Sequence, residues 1–215
     1  MLLSVFVFCC FPPCLALSCC GCPVDGAAAS PAACPASSWS PSLSYFTRGS
    51  ILEHLHFATR TVIQRTKAGT RQTVGLSENP FLVHTYVRYD GLAGIVVTQK
   101  DYAVRVAYSL INKMMSDFEA AYPDSWKKAT SDASLQPESM KKDIMLYQNP
   151  AEADNLIKIQ KGLDEVKDIM HKNIEEVLNR GETLDALMDK SEDLSATSLT
   201  FYKQSKKQNQ CCKAY

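Results

Sequence analysis

The residues with the clearest chemistry in this sequence are one arginine inside an apolar heptad and two cysteines that follow it. Counted from Leu156 in alternating steps of three and four, ten of the sixteen positions are large and apolar. This 3.5-residue period is typical of helices that wind into a left-handed coiled coil. Arg180 is one of these positions, and its guanidinium must find partners or stay in water because burying an unpaired charge is very costly. Cys211 and Cys212 come shortly after the last position, which favours a helix that pairs with partners beside a membrane.

These heptad positions, which we call the seam, end at Gln208 and include small residues after the arginine. The seam consists of Leu156, Ile159, Leu163, Val166, Met170, Asn173, Val177, Arg180, Leu184, Leu187, Ser191, Leu194, Ser198, Phe201, Ser205 and Gln208. Basic residues Lys203, Lys206 and Lys207 lie just before the cysteines. Such charges attract anionic lipid head groups, so they add to any attachment of the cysteines to a membrane.

Composition and cysteine placement limit the function classes. The formal net charge is zero, which gives no general attraction to nucleic acid. Seven of the nine cysteines lie in the first forty residues and two at the C-terminus, so the body between them has no disulfide to form. No N-x-[ST] acceptor and no apolar run of about eighteen residues occurs. The body is therefore expected to fold in the cytosol, and the C-terminus to reach a membrane only through covalent lipid.

Residues 1–41 differ from the rest and are expected to form an irregular extension rich in Cys, Pro, Ala and Ser. They contain one acid and no Lys, Arg or His. The apolar run at 1–17 resembles the h-region of a signal peptide but lacks a basic n-region. The alternative function is thus a secreted or lumenal Cys-containing protein. Cys19 and Cys22 form a C-x-x-C without a second ligand pair, so we predict no metal site there.

From residue 42 the sequence predicts a compact α/β body. Apolar spacing from Ile51 predicts a helix that ends near Lys67. Strand patterns follow at 70–76, 81–89 and 92–98, and Asp90-Gly91 is typical of a hairpin turn. A second amphipathic helix is predicted over 102–121, followed by a polar, irregular stretch with a short helix at 140–147. No catalytic motif accompanies these elements, and no cysteine lies in the body, so the chain is not expected to be an enzyme.

Three segments carry a family resemblance. The run Phe81–Gly94, which reads FLVHTYVRYDGLAG, resembles the central hairpin of a longin domain. The run Tyr147–Asp154 resembles the joint between a longin domain and a SNARE helix. The seam around Asn179-Arg180-Gly181-Glu182 resembles the SNARE motif of an R-SNARE, and with the terminal cysteines the chain resembles the lipid-anchored synaptobrevin homologues.

The resemblance implies a domain order and a mechanism. It implies a longin (profilin-like) domain at 42–147 with an antiparallel sheet and flanking helices, a long coiled-coil SNARE helix at 152–210, and a lipidation tail at 211–215. Arg180 would form the central layer of a four-helix bundle with three glutamines from Q-SNARE partners. The function implied is vesicle docking and membrane fusion in ER–Golgi and endosomal or vacuolar transport. The protein would be peripheral, in the cytosol and on the cytoplasmic face of Golgi, endoplasmic reticulum, vesicle and endosomal membranes.

Two departures from the family pattern stand out. A longin domain opens with two strands before its first helix, and residues 1–41 replace them here. Either the sheet lacks these strands, or the run 2–11 supplies one, or the segment reflects an alternative start or gene model, which is the interpretation we favour. The family would carry prenyl at Cys212 and a second lipid at Cys211, but Lys213 and Tyr215 fit a prenylation box poorly. No other cofactor is expected.

The resemblance also implies that the longin domain covers the SNARE helix before assembly. Leu55 and Phe57 lie about 200° apart on the first helix, so one faces the sheet and the other faces outward. We choose Phe57 as the outward residue and predict that it docks the unassembled seam, since an exposed large apolar side chain favours a partner surface.

Overall fold

The computed structural model describes residues 2–9, 32–34, 45–76, 81–123, 139–149, 169–191 and 194–211. The strands are β1 (Leu2–Cys9), β2 (Ala32–Cys34), β3 (Arg71–Gly75), β4 (Phe81–Val87), β5 (Leu92–Gln99) and β6 (Met170–Asn173). The helices are α1 (Tyr45–Gln64), α2 (Val104–Ala121), α3 (Ser139–Leu146), α4 (Ile174–Val177), α5 (Leu184–Asp189) and α6 (Ala196–Cys211).

These strands form one mixed sheet in the order β2-β1-β5-β4-β3-β6. All neighbours are antiparallel except β3 and β6, which are parallel. The central hairpin of β4 and β5 joins at Asp90-Gly91, as the sequence predicts, and β3 extends it on one side. The helix and strand predictions for the body therefore agree with the structure to within a few residues.

The irregular structure expected for residues 1–41 is replaced at two places by strands. Leu2–Cys9 pairs with β5 from Leu2↔Thr98 to Cys9↔Leu92, and Ala32–Cys34 pairs with β1 in turn. Two strands thus precede α1, and the run at 2–11 supplies the first of them, which was one of the alternatives that the sequence left open. The physical reason is that β5 would otherwise expose a row of unpaired backbone groups at the edge of the sheet. The segment Leu2–Cys9 pairs with these backbone groups of β5, although its apolar sequence does not alternate with polar residues and also resembles a signal peptide.

Side chains of β5 alternate between two cores. Leu92 and Val96 pack against α2 and α3, whereas Ala93, Ile95 and Val97 pack on the side that holds α1. Because both faces are covered, β5 reads as a nearly continuous apolar run. At Gly94 an added Cβ would lie 2.8 Å from Ile111 Cγ2, so glycine there allows α2 to approach the sheet closely.

A buried polar network crosses the middle of the sheet. The ring of His84 on β4 contacts Thr73 Oγ1 at 3.0 Å through Nδ1 and Thr98 Oγ1 at 2.8 Å through Nε2. Tyr108 of α2 reaches the same Thr73 hydroxyl at 3.2 Å. Burial, with a smaller contribution from the charge of His171, lowers the pKa of His84 to about 4. The network therefore holds a neutral imidazole in the core.

This imidazole predicts a pH-dependent stability of the fold. Since the pKa of His84 is about 4 when folded and 6.5 in its ordinary state, the unfolded chain binds more protons between these values. Stability is then complete above that window and is lost as the pH falls through it, by at most about 1.4 kcal/mol per pH unit for one group. Urea unfolding of the full chain at a series of pH values measures this slope. His84→Gln should flatten it, whereas His171→Gln should keep most of it, because burial is the larger cause. An unchanged slope in His84→Gln would contradict the assignment.

Candidate functional site

The candidate functional site is the surface on which the C-terminal segment folds back against the α/β body. We call the described residues 169–191 and 194–211 the docked segment. It begins with β6, whose Met170–Asn173 extends the sheet in parallel along Gln72–Gly75 of β3. The next turn, α4, inserts Ile174 and Val177 into the apolar core beneath α1. The segment thus completes both the sheet and one of its cores.

The continuous helix expected from Leu156 to Gln208 is not the form that this segment takes in the structure. From residue 170 onward its described residues form β6, α4, α5 and α6. The physical reason is that a helix with an apolar seam and no partner helices must bury that seam elsewhere. Breaking the helix lets successive pieces pack against the α/β body.

The turn that contains Arg180 is fixed by an ion pair to the α/β body. Gly181 adopts a left-handed φ of +90°, which reverses the chain between α4 and α5. Arg65 Nη2 at the end of α1 donates to Glu182 Oε2 at 2.7 Å, and this bond together with the Asn179 N–H holds the pKa of Glu182 below its usual range. Arg180 itself is exposed. The docked form therefore leaves the guanidinium of the seam in water.

Phe57 of α1 lies at the centre of a separate apolar cluster with the docked segment. It is 8% exposed and packs with Met188 and Leu194, which are also buried. Leu55 is 2% exposed and belongs to the core beneath α1 with the sheet. The two side chains thus point in different directions, and Phe57 faces the docked segment.

Polar groups of α1 position the start of α6. Glu53 Oε2 accepts the backbone N–H of Ser195 at 2.9 Å, directly before the first residue of α6. A carboxylate at this end complements the helix dipole. Burial raises the pKa of Glu53, but the hydrogen bonds from Ser195 and Ser198 outweigh it and the pKa lies below its usual range. The next residue of α1 is His54, whose ring stacks on Tyr202 of α6 with centroids 5.4 Å apart.

The seam positions fall into four groups in this structure. Leu156, Ile159, Leu163 and Val166 lie outside the described residues, as does Cys212, while Gln208 and Cys211 belong to α6 without described side chains. Val177, Leu194 and Ser198 are 9%, 7% and 1% exposed. Leu184, Leu187, Ser191, Phe201 and Ser205 are half-buried. Met170, Asn173 and Arg180 are exposed. The seam is therefore buried at three of its described positions.

Sequence reasoning missed the residues outside the seam that hold the segment in place. Ile174 and Met188 are buried there, yet neither occupies a seam position, so the docked face is rotated relative to the seam. Their large apolar side chains were the available signal. Arg65 and Glu53 gave no signal, because a charge on a helix is ordinarily solvated and only the folded-back chain supplies their partners.

A metal site and a membrane-spanning helix are two other features for which the described residues give information. In the described part of the chain, no three His, Cys, Asp or Glu side chains are arranged to hold a metal ion. Among the helices that the structure describes, none is long and apolar enough to cross a membrane. In the docked segment, by contrast, residues of the predicted seam are buried against the folded body.

Comparisons with known proteins agree with this architecture. Residues 39–144 match the longin model, described as a regulated-SNARE-like domain, and residues 155–215 match the synaptobrevin model. The synaptobrevin homolog YKT6 of Candida glabrata is 46% identical over 78% of this chain and 82% of its own length. The homolog of Saccharomyces cerevisiae is 43% identical over 78% and 84%. The VAMP-like protein YKT61 of Arabidopsis thaliana is 44% identical over 78% and 83%.

A longin fold followed by a synaptobrevin segment defines a longin-domain R-SNARE, a class of proteins that act in vesicle trafficking through SNARE complexes and not as enzymes. Within that class, the chain belongs to the family of YKT6 synaptobrevin homologues. This membership favours the SNARE interpretation over the secreted alternative.

The Phe57 cluster predicts a variant that undocks the segment. Phe57→Glu replaces a buried ring by a charge, and removing such a ring costs about 3 kcal/mol or more, equal to about a hundredfold in an equilibrium. We expect amide hydrogen exchange to speed up across residues 174–207, while the hairpin at 81–99 stays protected. Leu55→Glu is the matched control and should expose the hairpin as well. Loss of hairpin protection in Phe57→Glu would mean that Phe57 supports the longin core itself.

Proposed function

We propose that the docked segment is the resting, autoinhibited form of this R-SNARE. The observation that carries the proposal is the burial of Val177, Leu194 and Ser198 on the longin domain. The same three positions would form layers of a four-helix bundle with Q-SNARE helices. A side chain cannot occupy both environments, so bundle assembly requires the segment to leave the longin domain. Assembly then draws two membranes together as the seam is buried progressively.

Arg180 has a different place in this scheme. In the resting form it is exposed on the turn at residues 179–182, so it contributes little to docking. In the bundle its five donors would face acceptor oxygens from three glutamines, which fixes the register of the four helices. The arginine therefore acts on pairing in the assembled form and leaves the resting form unaffected.

Replacing Arg180 by leucine tests this division of roles. We expect Arg180→Leu to leave the thermal unfolding of the free chain unchanged, because an exposed side chain is lost. The complex with three Q-SNARE helices should change its melting temperature or register, since the glutamines lose their common donor. Lys190→Leu removes an exposed charge outside the seam and should alter neither measurement. Destabilisation of the free chain alone would identify Arg180 as an ordinary structural residue.

The proposal includes a lipid anchor at Cys211 and Cys212. One lipid chain binds a membrane only marginally, so two chains, or one chain with the lysines at 203–207, are needed for stable attachment. The compartments proposed are the cytoplasmic faces of endoplasmic reticulum, Golgi, vesicle and endosomal or vacuolar membranes. Family membership and the family's membrane-associated trafficking support this placement.

Serine substitution tests the anchor. In cell fractionation, the double variant Cys211→Ser/Cys212→Ser should move from the membrane pellet to the soluble fraction, because each buried CH₂ contributes about 0.8 kcal/mol. Since Lys213 and Tyr215 fit a prenylation box poorly, Cys211→Ser alone should have at least as large an effect as Cys212→Ser. The adjacent double variant Asn209→Ser/Gln210→Ser should stay in the pellet. Unchanged partition of the cysteine double variant would remove the lipid anchor from the proposal.

A further inference from the structure

The acids of α5 are paired with the basic residues of α6. Lys206 Nζ lies 2.6 Å from Asp185 Oδ2, and Lys203 Nζ lies 2.9 Å from Asp189 Oδ1. The hydroxyl of Tyr202 adds a hydrogen bond to Asp185 Oδ1 at 3.2 Å. The hydrogen bond from Lys206 is the main reason that the pKa of Asp185 lies below its usual range. Two of the three lysines that precede the cysteines are thus neutralised within the docked segment.

These ion pairs exist only when the chain is folded back. Residues 185 and 206 are 21 positions apart, and residues 189 and 203 are 14 apart. In one continuous helix, at 1.5 Å per residue, the members of the two pairs would be separated by about 31 Å and about 21 Å. A bundle-forming helix therefore releases both lysines, and docking and release give α6 different net charges.

The strengths of the competing interactions are comparable. The side chains are between 31% and 59% exposed, and an ion pair this exposed changes an equilibrium by about fivefold at most. A lysine near an anionic membrane surface gains about fivefold in affinity. Neither interaction dominates by itself, so the density of negative lipid decides which one the lysines make.

We propose that an anionic lipid surface competes with Asp185 and Asp189 for Lys203 and Lys206, so that membrane charge itself favours undocking of the segment. The inference rests on the autoinhibited form proposed above. The partner is a lipid bilayer with anionic head groups. In the docked form, the carboxylates of the two aspartates pair with the lysines that would otherwise contact these head groups. The R-SNARE would then be held closed in solution and opened at a charged membrane, where assembly takes place.

Vesicle binding by the full-length, unlipidated chain tests the inference. Phosphatidylcholine vesicles with increasing phosphatidylserine are the probe, and co-sedimentation and hydrogen exchange of residues 174–207 are the measurements. We expect binding and exchange to rise together with phosphatidylserine and to fall with added salt. Asp185→Asn/Asp189→Asn should bind several-fold more tightly at low phosphatidylserine, and Lys203→Gln/Lys206→Gln should lose the dependence on phosphatidylserine.

A matched control distinguishes the loss of the ion pairs at Asp185 and Asp189 from the change in net charge that the same substitutions cause. Asp117→Asn/Glu119→Gln also removes two ion-paired acids, the partners of Lys113 on α2 and of Arg88 directly after β4, and changes the net charge equally. It should bind vesicles as the unaltered chain does. Equal binding by the two double variants would overturn the competition. Rapid exchange of the segment without vesicles would overturn docking itself, whereas a protected segment that ignores phosphatidylserine would overturn only this inference.

Discussion

The apolar surface of the C-terminal segment can be buried in only one place at a time. Exposed in water, its valine and leucine side chains would cost about 25 cal/mol for each Å² left uncovered. The structure satisfies this constraint by using Ile174 and Val177 to complete the core beneath α1, and Leu194 to cover Phe57. Other features of the segment, including its broken helices and its parallel strand, follow from fitting that surface to a domain instead of to three helices.

Polar contacts determine how the segment is placed more than how strongly it binds. The Arg65–Glu182 pair and the Glu53–Ser195 hydrogen bond are partly exposed, and such contacts contribute little free energy individually. They do fix positions: one holds the turn beside Arg180, and the other fixes the first residue of α6. Apolar burial therefore supplies most of the stability of the docked form. The exposed polar pairs are weak, so contacts with another surface can replace them.

Local signals made the body of the fold predictable from sequence. The apolar period of α2 and the Asp90-Gly91 turn depend on neighbouring residues, and both were located to within a few positions. The strands at Leu2–Cys9 and Met170–Asn173 depend instead on edges that distant residues create, so the sequence offered the first only as one of three alternatives and did not reveal the second. Helix geometry placed Leu55 and Phe57 on different sides of α1 but did not decide which of them faces outward. The partner Met188 could not be predicted, because it lies outside the heptad positions.

The rotation between the docked face and the seam has a consequence for how the two states are balanced. Ile174 and Met188 are buried in the docked form but lie outside the seam, whereas Leu187 and Leu184 belong to the seam and are only half-buried. In the proposed scheme, substitutions at the first pair would act on docking, and those at the second would act chiefly on the four-helix bundle. Because the two burial patterns share only part of their residues, the stability of the docked form could then change without a matching change in the proposed bundle. If the residues buried in the docked form were the same as the seam residues, every substitution would affect docking and the bundle together.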